Sequence, residues 1–243
     1  MDVVERYLAV VQGQLEGALT GQREALGRAA GWVADALVGG HGLYAAGTGH
    51  SHLLALELFY RAGGLVRAVP MLDEDLMLHR SASRSSGHER ETGRAAAMLE
   101  RYGVGVGDVL LVVSNSGRNA VPVELALKGK ERGARVVACT SLRHARAHGS
   151  RHASGKRLFE VADVVLDNAG VEGDAAVEVT PGLVMGATST AVGAALVQAL
   201  VLEAASRALE RGWTPEVYLS SNGAGEAENA RHLAKHVGRM PHL

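Results

Sequence analysis

Two glycine-containing runs in this 243-residue sequence carry side chains suited to holding an anion. The first, Gly47-Thr48-Gly49-His50-Ser51-His52, sets glycines that permit a tight turn and close backbone approach beside Thr48 and Ser51 hydroxyl groups. The second, Ser114-Asn115-Ser116-Gly117-Arg118-Asn119, repeats the pattern with two hydroxyls, an amide and a glycine. A shorter pair, Thr140-Ser141, follows a third apolar run, and Thr188-Ser189-Thr190 stands just before a long apolar segment. Serine, threonine and asparagine are also common helix N-caps, so any one of these runs can be a cap and nothing more. Recurrence at equivalent places in the chain is what points to a binding site, and that depends on the elements around them.

Those elements alternate. Residues 1–38 show helical spacing, with Gly21 as a break and Gly39-Gly40 as the stop, and read as a helical lead-in. Residues 40–205 then alternate short apolar runs (GLYAAG, GLVRAVP, DVLLVVS, RVVACTS, ADVVLDN) with amphipathic helices over about 51–62, up to Tyr102, and over about 120–132. Alternation of this kind predicts an α/β three-layer sandwich of the doubly wound, flavodoxin-like type, with a five-stranded parallel sheet between helices. A last strong helix spans about 190–211, residues 206–243 form a C-terminal tail, and residues 141–157 are the one long irregular stretch. The whole is predicted to be one domain. In such a sheet, ligands bind outside the carboxyl ends of the strands, where the first, second and third of these polar runs fall.

Composition narrows the function classes. The formal net charge of −1 and a single short basic cluster at 143–157 argue against nucleic acid as a partner. Charged residues at positions 2, 5 and 6 argue against a signal peptide, and the longest apolar run, 191–202, is interrupted by Gln198. The expectation is a cytoplasmic protein with no membrane anchor. The single cysteine, Cys139, excludes an internal disulfide and reads as a core thiol. The first loop fits the dinucleotide fingerprint poorly: His52 occupies the third glycine position, and no carboxylate follows the second strand before Asp73. A Walker-type phosphate loop is absent. The run Asp73-Glu74-Asp75 reads as a solvated turn, and His144, His148 and His152 lack a helix-borne carboxylate at metal-ligand spacing. Lys156 and Arg157 serve either to attract an anion or to solvate their loop.

Taken together, G-x-G-x-S after the first strand, S-N-S-G after the third and T-S after the fourth resemble the sugar isomerase (SIS) domain over about residues 40–205. The segment Ala55 to Glu57 resembles the part of the glucosamine-6-phosphate synthase isomerase domain that carries an active-site glutamate, and Ala187 to Thr190 resembles a region of the arabinose-5-phosphate isomerases. What the resemblance implies is a phosphorylated sugar, possibly an amino sugar, as ligand, with Ser51, Ser114, Ser116 and Thr140 on the phosphate and Thr48 and Asn115 close by. Ser141 and Thr188 complete the predicted binding set. It further implies Glu57 as the base for proton transfer through an enediol, His79 as the ring-opening group supplied by a neighbouring subunit, and His88 in reserve. Neither cofactor nor metal is expected. Glu57 also has a structural reading, as a partly buried carboxylate satisfied by Arg61. A homodimer or homotetramer is expected, because the apolar helix from Thr190 to Leu209 needs cover. The activity implied is aldose–ketose isomerisation or a related lyase or etherase reaction, the alternatives being a non-catalytic sugar-phosphate sensor and, less well supported, a nucleotide-dependent oxidoreductase.

Overall fold

A computed structural model describes residues 1–223, 225–238 and 240–243. Two helices lead in. α1 (Val3–Thr20) opens on a capping box in which Asp2 and Glu5 each take the other's backbone N–H, and α2 (Arg23–Val38) follows across the Gly21 break. Five strands then form one parallel sheet: β1 (Leu43–Gly47), β2 (Ala68–Met71), β3 (Val109–Val113), β4 (Arg135–Thr140) and β5 (Val164–Asp167), in the order β2-β1-β3-β4-β5. Their sequences are nearly continuous apolar runs because both faces of the sheet are covered. In β3, Val109, Leu111 and Val113 point into the layer containing α2 and the helix Ser189–Glu210, whereas Leu110 and Val112 point into the layer containing the helices Arg94–Tyr102 and Ala120–Glu131. The three-layer expectation therefore holds.

The helices between strands are α3 (His52–Leu58), entered through a 3-10 turn at Gly49–Ser51, α4 (Leu78–His88), α5 (Arg94–Tyr102), α6 (Ala120–Glu131), α7 (Leu142–Ala147) and α8 (Leu158–Val161). Three expectations need correction. The connection between β2 and β3 is two helices, not one, separated at Gly93, whose φ of +90° no continuing helix can adopt. The stretch 141–157 is partly regular, since Ser141 caps α7 by accepting from the His144 N–H. Between β5 and the last long helix lies an antiparallel hairpin, β6 (Ala175–Thr180) and β7 (Leu183–Ala187), turning at Pro181-Gly182.

α9 (Ser189–Glu210) is long and apolar enough to cross a membrane by length and composition. Here Val192, Leu196, Val197, Leu200 and Ala204 are buried, and the helix packs against α2, α1 and α3. The chain buries 44% of this helix's most apolar window, and Leu202 and Leu209 remain exposed. α10 (Glu226–His236) closes the chain and is pinned by Glu216, which accepts from Lys235 and His236. Burial pushes the Glu216 carboxyl up, but those two bonds outweigh it and hold it below the usual carboxylate range.

Candidate functional site

Strand register sets the site. Gly47, Val113, Cys139 and Leu166 lie in one row across β1, β3, β4 and β5, so the residues that follow them leave the sheet at one level. Those residues are Thr48, Ser114, Thr140 and Asp167. Gly47 must be glycine: a Cβ there would lie 2.5 Å from the Ser51 carbonyl carbon and oxygen, so tightly does the first loop fold back. Gly117, with φ of +57°, performs the equivalent turn after β3, and its carbonyl accepts from the Leu158 N–H at 2.7 Å.

A crevice opens above this edge. His50, Ser51, Asn115, Asn168, Ser189 and Thr190 are its polar lining and Leu54, Val113 and Cys139 its apolar part. Asn115 is held in place by its side-chain oxygen, which accepts from Asn168 Nδ2 at 2.9 Å, and by its carbonyl, which accepts from Thr140 Oγ1 and the Ser141 N–H, each at 3.2 Å. Ser116 is half-buried on the same loop. Burial, reinforced by Asp167, pushes the Cys139 thiol up to about 12, so it stays protonated and contributes only apolar surface.

Several predicted hydroxyls are already engaged. Thr48 is 7% exposed and donates to Glu89 Oε1 at 2.6 Å. Thr140 is fully buried as the brace between the β3 and β4 loops, and Ser141 donates to the Gly170 carbonyl at 2.7 Å. Ser114 is buried and accepts from the Gly117 N–H at 3.1 Å, leaving its own proton uncommitted among the described residues. Thr188 is buried, and its hydroxyl has no hydrogen-bond partner among the described residues. Asp174 caps α9 from outside, accepting from the Thr188 and Ser189 N–H groups at 3.1 and 2.9 Å and from the Ser189 hydroxyl at 2.6 Å.

The two predicted catalytic groups stand outside the crevice lining. Glu57, half-buried on α3 one turn beyond Leu54, accepts from Arg61 and from Gln198 Nε2 at 3.1 Å. His79 is exposed on the first turn of α4, next to Leu78, whose side chain comes within 3.9 Å of the space above Gly49. His88 belongs instead to an ion-pair network with Glu91 and Arg94, which also reaches Asp73 and Asp75. The acidic run is therefore more than a solvated turn, since Asp73 also accepts from the Asp75 N–H at 3.0 Å.

Farther along, His144 Nδ1 accepts from the Gly173 N–H and His148 lies 3.3 Å from Glu172. No group of three or more metal-ligating side chains converges among the described residues. Arg157 pairs with Glu160, and that pairing draws the Glu160 carboxyl down to about 2. Sequence reasoning missed Asn168, although it follows β5 as directly as Thr48 follows β1. It also missed Glu89 and Asp174, whose roles depend on contacts that no local pattern announces.

A doubly wound sheet of order 2-1-3-4-5, with glycine-turned hydroxyl loops at the ends of β1 and β3, defines the SIS class of domain. Residues 6–141 match the SIS domain model, and the chain belongs to that family. It is 40% identical over 243 residues to a UPF0309 protein of Geobacillus thermodenitrificans, covering 99% of this chain and 98% of the relative. It is 41% identical over 245 residues to one of Brucella anthropi, covering 100% and 99%. Among solved structures, a phosphoheptose isomerase from Francisella tularensis superposes with a TM-score of 0.53 at 15% identity, over 83% of this chain and 95% of that one. The phosphoheptose isomerase of Neisseria gonorrhoeae gives 0.51 at 18%, over 84% and 97%. At these identities the likeness is one of fold.

Proposed function

We propose that this protein binds a phosphorylated sugar in the crevice at the carboxyl edge of the sheet and catalyses aldose–ketose isomerisation or a related lyase or etherase step. The observation that carries the reading is the convergence of Ser51 from the β1 loop, Asn115 from the β3 loop and Asn168 from the β5 end on one crevice. The phosphate takes hydrogen bonds from Ser51, Ser114 and Ser116, while Thr48, Thr140 and Ser141 hold the loops in shape. Glu57 moves a proton between adjacent sugar carbons through an enediol, a transfer that needs a positioned base and no cofactor. His79 opens the ring from a neighbouring subunit. The pairing of Glu57 with Arg61 and Gln198 favours a second reading, in which the carboxylate is structural and the protein senses the sugar phosphate without turning it over.

Replacing Ser116 with Ala removes one donor to a charged group. Titration calorimetry with a sugar phosphate that binds wild type should show a loss of about 1.5–3 kcal/mol, roughly 10- to 150-fold in Kd. Unchanged affinity would remove Ser116 from the site and weaken the phosphate-loop assignment.

A homodimer or homotetramer belongs to this proposal because His79, exposed on α4 and outside the crevice lining, is given its ring-opening role in a neighbouring subunit's crevice. Apolar side chains free to meet one lie on α1 (Val4, Leu8), α3 (Leu53, Leu56) and β7 (Val184, Met185). Light scattering at micromolar concentration should give at least twice the 25.3 kDa chain mass. A monomer mass would eliminate the ring-opening role of His79.

A further inference from the structure

Three arginines meet beside the two hydroxyl loops. Arg118 belongs to the β3 loop itself, two residues beyond Ser116. The Arg151 N–H donates to the Arg118 carbonyl at 2.7 Å, and the Arg151 guanidinium donates to Asn119 Oδ1 at 3.2 Å. Arg90 follows Glu89, whose carbonyl accepts from the Val121 N–H at 3.1 Å, so the end of α4 abuts the start of α6. Main-chain bonds thus bring the backbone segments that carry the three residues together.

Their charge is largely uncompensated. Arg61, Arg94 and Arg157 each pair with a carboxylate, whereas Arg90, Arg118 and Arg151 make no ion pair among the described residues. Glu89, the nearby carboxylate, accepts from the Thr48 hydroxyl and keeps its charge, so three guanidinium groups share one carboxylate. Desolvation, then the Arg118 and Arg90 charges, draw the Arg151 guanidinium below its usual range, with Glu89 opposing. Neighbouring positive charges favour an anion between them, and the planar guanidinium fork fits a carboxylate or phosphate in two-point fashion.

We propose that Arg90, Arg118 and Arg151 form a second anion site, and that the phosphosugar of this protein carries an additional acidic group, a carboxylate or a second phosphate, that binds there. The inference rests on the phosphosugar reading of the crevice: one anion sits on the hydroxyl loops, and the sugar presents the other to the arginines. Three positive groups are too few for a nucleic-acid footprint, and the chain carries a net charge of −1, which leaves a small ligand as the occupant.

The test compares glucose 6-phosphate with 6-phosphogluconate, which adds a carboxylate, and glucose 1,6-bisphosphate, which adds a phosphate. Wild type should bind at least one doubly acidic sugar about tenfold or more tighter than the monophosphate, with a steeper salt dependence. Whichever of the two shows the gain identifies the second group. An Arg90→Gln/Arg151→Gln variant should lose most of that ratio, and Arg90→Lys/Arg151→Lys, which keeps the charge, should retain part of it. A ratio near one in wild type that binds the monophosphate overturns the second site. So does a ratio unchanged in the Gln variant, or an equal loss of all three ligands, which would put the single phosphate on the arginines. Absence of binding by all three sugars contradicts the phosphosugar reading itself and takes the second site with it.

Discussion

A Glu57→Gln variant should bind a sugar phosphate nearly as tightly as wild type while its turnover falls by about 10²- to 10⁴-fold, the usual contribution of a positioned general base. The amide preserves the shape of the carboxylate, and its oxygen can still accept from Arg61 and from Gln198, which joins α3 to α9. What it loses is the capacity to take a proton. The same variant should fail to exchange the carbon-bound hydrogen of the substrate with deuterated water, which NMR reads directly. The sensor account makes the opposite forecast: Glu57→Gln lowers thermal stability, and exchange is either unchanged or undetectable in wild type as well. Binding and exchange together therefore decide whether this carboxylate is a base or a strut.

Gly47→Ala should damage both folding and ligand binding, although it adds only one methyl group. The added Cβ would approach the Ser51 carbonyl carbon and oxygen at 2.5 Å and the His52 nitrogen at 2.8 Å, all backbone atoms that cannot rotate aside. The 48–51 loop has to move, which carries Ser51 out of the crevice and breaks the Thr48–Glu89 bond. Overpacking costs about 1–3 kcal/mol, and loss of a hydroxyl donor to a charged ligand costs affinity by a further factor of roughly 10 to 150. Gly13→Ala is the control: this exposed position inside α1 has nothing within 4 Å of the new carbon. It should gain about 0.5–1 kcal/mol and leave binding intact. Denaturant unfolding and calorimetry on the two variants check both statements. Equal stability and equal affinity for Gly47→Ala would show that the first loop does not hold the ligand.

The sheet was legible because its strands are buried on both faces. VLLVV at 109–113 and VVAC at 136–139 are apolar without interruption, and only strands covered from both sides read that way. The strand-end rule sets the first and third loops at one edge of the sheet, and Ser51 and Asn115 from those loops line one crevice there. The β6–β7 hairpin was missed because its side chains are mostly exposed and break the wound rhythm, although Val177 and Val179 alternate with polar residues and Thr180-Pro181-Gly182 is a turn signal.

The division of labour among the hydroxyls was not legible at all. Thr48 meets Glu89 across 41 residues of chain, and Ser141 meets Gly170 across 29, so only the folded state determines which hydroxyls are braces. The same holds for Glu57, whose helical position is local but whose partner Gln198 lies 141 residues away.

The central claim is that the crevice is built for an anion on a sugar, and thermal unfolding with matched ligand pairs tests it most directly. A sugar phosphate at 100 times its dissociation constant should stabilise the wild-type protein by about 2.7 kcal/mol. Its dephosphorylated counterpart at the same concentration should leave the transition where it is. Equal shifts with both forms, or a shift with NAD alone, would contradict the account.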